Sequence, residues 1–202
     1  MTTSAEARAR LEAILAEPDS VVRQLLIAAL ISSLFRERGF NPVVVGGSAI
    51  EFYTEGAYVS GDIDICFDSP ALPKPRERAE VMSEILGCDG TTRTWKIGDR
   101  YVDLLGFVET FATESYSSLE TPEGNIILQP VEDLVAERVF IARGMGSLNS
   151  EAEDCARKLI AFALKNPDSV DWRKAEEIAD SVAYRCGDEL RAMKSEVELS
   201  LS

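Results

Sequence analysis

The sequence predicts an α/β (α+β) protein, a mixed β-sheet flanked by helices with a helical C-terminal part, and three observations carry that expectation. A β-branched run over residues 42–45 ends in Gly46-Gly47 and gives way at once to the helical stretch Ser48-Ala49-Ile50-Glu51-Phe52-Tyr53. Two further apolar runs, 62–67 and 100–108, alternate as strands do. From residue 131 on, four helical patterns follow one another with no strand between them. A chain of 202 residues with 46% hydrophobic content buries a substantial core, as one domain or as one domain with a helical appendage. A boundary, if the chain has one, falls at Gln129-Pro130, giving 1–129 with the sheet and the N-terminal helices and 130–202 as a helical region against it.

Each element has its own signal. Residues 5–16 and 20–38 read as helices separated by Pro18-Asp19-Ser20, where Asp19 or Ser20 caps the second and Gly39 closes it. The second helix is apolar around most of its circumference, which requires burial. Ser48 and Glu51 have the spacing of a capping box for the helix after Gly46-Gly47. Residues 68–75, with three prolines, connect to a helix over 76–86 that Gly87 stops. Strands at 92–97 and 100–108 are joined by Gly98-Asp99, a hairpin signal. A polar stretch, 109–125, and a short apolar run, 126–128, precede Pro130, and helices follow at 131–143, 151–165, 169–185 and 188–198.

Composition removes several chemistries. The chain has no histidine, so imidazole catalysis, Ser-His-Asp and Cys-His systems and ordinary zinc ligation are excluded. Cys66, Cys88, Cys155 and Cys186 are too far apart for a CxxC pair. The formal net charge of −14 opposes tight non-specific binding to nucleic acid. No apolar stretch reaches the roughly 18 residues a membrane span needs, and the N-terminal segment lacks the apolar core of a signal peptide. A cytoplasmic location and no membrane partner are the expectation.

The remaining chemistry centres on three aspartates set in apolar runs. Side chains alternate along a strand, so Asp62 and Asp64 emerge on one face about 7 Å apart while Ile63, Ile65 and Phe67 point to the other. If the run carrying Asp103 is a neighbouring strand, about 4.8 Å away, its carboxylate completes a three-oxygen cage. Carboxylates are disfavoured in strands and costly to desolvate, so three of them need a compensating partner. Oxygen-only ligands select a hard cation, magnesium or manganese, bridged to substrate phosphates. Alone, Asp62 and Asp64 also fit the polar face of a half-exposed strand. Gly46-Gly47-Ser48 sits where a strand opens into a helix, a place where free backbone N–H groups favour an anion.

Together, a strand, Gly46-Gly47-Ser48, a short helix, a loop, an Asp62-Ile63-Asp64 strand and a later strand aspartate resemble the nucleotidyltransferase superfamily that includes DNA polymerase beta. Within it, Val44-Val45-Gly46-Gly47-Ser48-Ala49 and Val59-Ser60-Gly61-Asp62-Ile63-Asp64 are similar to the AbiEii-type and related bacterial families, which show a "GG-T/S-A" turn and an "S/T-x-D-I-D" strand. The similarity covers residues 41–103 well and extends more loosely through 164. Gln129-Pro130-Val131-Glu132-Asp133-Leu134-Val135-Ala136 is similar to a "P-E-D-L-I-A" helix start that continues with a lysine, where this chain has Arg138.

The resemblance implies a nucleotidyltransferase fold over 1–129 and transfer of a nucleoside monophosphate from a nucleoside triphosphate to an acceptor hydroxyl, with pyrophosphate leaving. Asp62 and Asp64 would hold two magnesium or manganese ions, and Asp103 would bind the second and help deprotonate the attacking hydroxyl. Gly46, Gly47 and Ser48 would cradle the phosphates by backbone amide and hydroxyl. The acceptor would be a tRNA, a protein or a small molecule. A catalytically silent protein that binds an antitoxin is the alternative, and a second copy of the chain is a further partner to expect. D-x-D also occurs in sugar-nucleotide glycosyltransferases, whose nucleotide-sugar domain is usually larger.

Arg138 stands out without any family. It lies within the apolar stripe of Val131, Leu134, Val135, Ile141 and Ala142, where a guanidinium either snorkels to water or Glu137, or meets an anion such as a phosphate. Arginine does not donate its proton near neutral pH, so charge stabilisation is its available role. Asp154 falls opposite the apolar stripe of its helix and reads as a surface ion-pair partner. Trp95, Tyr101, Phe107 and Trp172 read by default as core residues, with a base-stacking platform as the alternative.

Overall fold

The computed structural model describes residues 1–68, 71–112, 116–146 and 149–202. Ser69-Pro70 of the proline-rich connector and Thr113-Glu114-Ser115 of the polar stretch lie outside the described residues. Seven strands form one mixed sheet: β1 (Asn41–Val44), β2 (Asp62–Asp68), β3 (Asp89–Gly90), β4 (Thr94–Ile97), β5 (Arg100–Phe107), β6 (Ser117–Leu119) and β7 (Ile126–Leu128), in the order β3-β4-β5-β2-β1-β7-β6. The strand with two aspartates is internal. It pairs antiparallel with β1 on one side and parallel with β5 on the other. One face of β2 is therefore core, with Ile63, Ile65 and Phe67 fully buried.

That core is closed by the N-terminal helices. Helix α1 (Ser4–Leu15) starts at a capping box between Thr3 and Glu6, and α2 (Ser20–Arg36) starts where the Asp19 carboxylate accepts from the amides of Val21 and Val22. Gly39, at φ +82°, takes the left-handed conformation that closes α2. Phe35 of α2 meets Phe67 of β2 edge to face with centroids 5.1 Å apart, and Phe40 completes the cluster. Burial of each such ring contributes about 1.5–3 kcal/mol.

The helix after the connector, α4, runs Pro75–Ala79 and widens into a π-helical stretch, Glu80–Ile85. Between Ile65 and Phe67 the register of β2 on β5 shifts, because β5 carries an extra residue there. The carbonyls of Leu104 and Leu105 at this point accept from the Arg78 guanidinium, at 2.6 and 2.8 Å. On the far edge, Trp95 of β4 is fully buried and donates its indole N–H to Ser83. Gly90 of β3 lies flat on that ring, where a Cβ would come within 2.4 Å of it.

The described residues cluster into two compact units, one holding 1–52, 59–109 and 117–128, the other 53–58, 110–116 and 129–202. The second is helical: α5 (Val131–Val139) with a π-helical extension (Phe140–Gly144), α6 (Ser150–Lys165), α7 (Trp172–Asp180) and α8 (Gly187–Leu201). Helix α5 is its centre and buries two acids. The Asp133 carboxylate accepts from the amides of Phe111 and Ala112 and from the Thr110 hydroxyl, and Glu132 accepts from the amide of Asp171 at 2.8 Å. Charge-assisted bonds to main-chain donors are what permit this burial. Among the described residues no helix is long and apolar enough to cross a membrane.

Three expectations are corrected. The capping box at Ser48 does not form, because α3 (Gly46–Tyr53) begins two residues earlier and both side chains bond elsewhere. The helix predicted over 169–185 is α7 alone, ended by Ser181 in extended conformation and followed by Arg185 at φ +52°. Tyr101 and Phe107 are not core residues but about half exposed. Tyr101 shares the aspartate face of β5, and Phe107 lies beyond the register shift. Trp95 is core as expected, and Trp172 carries the Lys194 ammonium 4.3 Å above its ring.

Candidate active site

Strand register brings the aspartates together. Asp64 and Asp103 are direct partners across the parallel β2–β5 pair, and Asp62 lies two residues before Asp64 on the same face. Each of the three side chains is half-buried, and each offers a carboxylate oxygen within 4.8 Å of the other two. Among the described residues no lysine or arginine forms an ion pair with Asp62 or Asp103; each is instead held by a hydroxyl. Ser60 Oγ donates to Asp62 Oδ1 at 3.3 Å, and Thr94 Oγ1 donates to Asp103 Oδ1 in a short bond.

Three like charges at this separation repel and call for a positive counter-charge. The donor set is oxygen only and compact, on the face of β2 opposite Ile63, Ile65 and Phe67, which is the chemistry of a hard divalent cation. The residues present fit such an ion.

The turn after β1 locks onto this strand. Ser48 is fully buried, and its hydroxyl donates to the Asp62 carbonyl at 2.9 Å while accepting from the Asp64 amide at 3.0 Å. The amide of Val45 donates to the Asp64 carbonyl at 3.0 Å, so where β1 ends the serine hydroxyl continues its pairing with β2. Gly46, at φ +61°, makes the sharp entry into α3. The Glu51 carboxylate, also fully buried, accepts from Gln24 Nε2 at 2.9 Å and from the Ser60 amide at 2.7 Å. Burial pushes Glu51 above the usual carboxylate range, against the opposing pull of the Ser60 amide and the Arg100 charge. Arg100 in turn donates to the Ser60 carbonyl at 2.8 Å, so the segment before Asp62 is fixed from both sides.

Arg138 is placed within the helical unit. It lines a cavity of about 220 Å³ with Tyr58, Ile141, Asn149, Glu151, Ala152 and Cys155. Its Nη2 lies 3.7 Å from Glu137, its side chain is 20% exposed, and its buried Nε has no hydrogen-bond partner. Burial pushes the Cys155 thiol up to about 11 and raises Tyr58 as well, so neither ionises near neutrality. Asp154 pairs with Lys158 at 2.6 Å on the surface, as its position on the helix indicated. Arg143 bonds Glu153 and Glu196.

No protein-family model matches the chain, and no curated protein matches it either. Among solved structures it is similar to an antigenic nucleotidyltransferase-like protein from Paracoccidioides brasiliensis, with a TM-score of 0.55 at 12% identity over 82% of this chain and 91% of that one. The chain has the nucleotidyltransferase fold. The antibiotic-resistance factor ANT(2'')-Ia aligns with a TM-score of 0.49 at 16% identity, over 91% of this chain and 100% of that one. The polyadenylate synthase of Megavirus aligns with a TM-score of 0.41 at 17% identity, over 75% of this chain and 34% of that one.

Two features of this candidate site carry no signal in the sequence. Thr94 gave no signal, being an ordinary β-former until the β4–β5 register sets it opposite Asp103. The double role of the Ser48 hydroxyl was masked by a local spacing that suits a cap, since its partners lie 14 and 16 residues away.

Proposed function

We propose that this protein is a nucleotidyltransferase of the superfamily that includes DNA polymerase beta, related to its AbiEii-type families through the Gly46-Gly47-Ser48-Ala49 turn and the Ser60-Gly61-Asp62-Ile63-Asp64 strand. It transfers a nucleoside monophosphate from a nucleoside triphosphate to an acceptor hydroxyl on a tRNA, a protein or a small molecule. The observation that carries this reading is the convergence of Asp62, Asp64 and Asp103 on one point of the sheet face.

Asp62, Asp64 and Asp103 would hold magnesium or manganese, which supplies Lewis-acid neutralisation of charge on the phosphate oxygens. Asp103 accepts the proton of the attacking hydroxyl. The hydroxyl oxygen forms its bond to the α-phosphorus as the bond to the bridging oxygen breaks, and the electron pair leaves with pyrophosphate. Such chemistry depends on positioning and charge neutralisation, so the absence of histidine is no obstacle. Gly46, Gly47 and Ser48 present main-chain N–H groups of the first turn of α3 to the phosphates. The Ser48 hydroxyl is committed to β2, so its contribution to a phosphate is its amide. Arg138, which lines a cavity and whose buried Nε has no hydrogen-bond partner, is a cation suited to a phosphate. A cytoplasmic setting supplies the triphosphate.

The test is incubation with labelled ATP, CTP, GTP and UTP, magnesium or manganese, and a cell extract, comparing wild type with Asp64→Ala. Label transferred by wild type and not by the variant is the expected result. Equal transfer by both removes the catalytic assignment. No transfer, together with no thermal stabilisation by any metal-triphosphate pair, assigns the fold a binding role such as recognition of an antitoxin.

A further inference from the structure

We propose that Thr94 is a positioning residue for the cation site, fixing the Asp103 carboxylate so that one oxygen is held and the other is left to ligate. The inference rests on the reading of the three aspartates as cation ligands.

Thr94 and Asp103 are direct partners across the antiparallel β4–β5 pair, and Asp103 is in turn the direct partner of Asp64 across β5–β2. The three side chains therefore form one row across the sheet face. The Thr94 hydroxyl donates to Asp103 Oδ1, and this is the one hydrogen bond to the Asp103 side chain among the described residues. Without it, the carboxylate would rotate about its side-chain bonds, and part of any cation affinity would be lost in fixing it.

The donor is itself held rigidly. The main-chain carbonyl of Thr94 accepts from the Thr91 amide at 2.8 Å, and its amide donates to the Thr91 hydroxyl at 3.1 Å. The next residue, Trp95, is fully buried and tied to Ser83 by its indole N–H. Gly90 lies against both Trp95 and the Thr94 carbonyl, at separations no Cβ would tolerate. A tight turn, a buried tryptophan and a glycine thus set the height and direction of a single hydroxyl. Removing a partner that orients a metal ligand lowers metal affinity about 10- to 100-fold.

The experiment is titration of the full chain with manganese alone, read by the electron paramagnetic resonance of free ion, for wild type and the variants Thr94→Val, Thr94→Ser and Asp103→Asn. Unfolding in urea with chelator is measured beside it. Valine keeps the β-branched shape and strand preference but lacks the hydroxyl, whereas serine keeps the hydroxyl and loses the methyl. A purely structural role ranks valine at or above serine. Positioning reverses the order: Thr94→Val binds manganese about 10-fold more weakly at unchanged stability, and Thr94→Ser binds nearly as wild type. Affinity lost in Asp103→Asn but intact in Thr94→Val overturns the role of Thr94 alone. Affinity unchanged in Asp103→Asn overturns the cation reading and the role of Thr94 with it.

Discussion

Replacing Ser48 with alanine tests how the turn and the acidic strand depend on each other. The hydroxyl makes two hydrogen bonds in a fully buried position, one to the Asp62 carbonyl and one from the Asp64 amide. Alanine removes both at once and leaves a cavity too small for a replacement water with several polar partners. Depriving a buried backbone group of its partner costs about 1–3 kcal/mol, so the pair costs about 2–6 kcal/mol. Against a total stability of about 5–15 kcal/mol, that is a large fraction. The assay is urea unfolding followed by Trp95 fluorescence in a Trp172→Phe background, so that the signal reports the sheet unit. A midpoint shift at constant slope measures the loss. Manganese affinity should fall in parallel, because the same hydroxyl sets the course of the strand between Asp62 and Asp64. If Ser48 instead served a phosphate only, nucleotide binding would weaken while stability held. An alanine variant within about 0.5 kcal/mol of wild type refutes the bridging argument.

Two further outcomes follow from buried and paired acids. Burial raises the Glu51 carboxyl above its unfolded value, so over that window the folded state binds more protons and stability falls as pH climbs; Glu51→Gln should remove this slope in unfolding measured from pH 4 to 8. Bonds from Arg143 and Arg157 hold Glu196 down at about 2, so its stabilisation is complete above the ordinary carboxylate range and is lost as pH falls toward that value. Because Glu196 is 45% exposed, Glu196→Gln should cost under about 1 kcal/mol at neutral pH and flatten the acid limb of the stability profile.

The aspartate strands were legible because alternation separates an acidic face from an apolar one, and Asp62, Asp64, Ile63 and Ile65 carry both halves of that pattern. Asp103 was legible for the same reason, although only register shows it opposite Asp64. Strands β3 and β6 were not, since Asp89-Gly90 and Ser117-Ser118-Leu119 are polar edge pieces without an apolar face to announce them. Helix starts with a local cap, such as Asp19, read correctly. Glu132 and Asp133 look like a first-turn acidic pair, yet both are buried on main-chain amides far along the chain. Whatever depends on distant pairing, Ser48 and Thr94 above all, is absent from local pattern.

The guanidinium of Arg78 has a consequence for the order of assembly. A strand displaced by a single residue would aim Asp103 into the apolar interior and bring a hydrophobic side chain out in its place. The same slip would carry the carbonyls of Leu104 and Leu105 away from the arginine, leaving two guanidinium donors and two acceptors without these partners. Misalignment is thus penalised from outside the sheet, by a helix that lies between β2 and β5 in the chain and acts as a proofreader of their alignment.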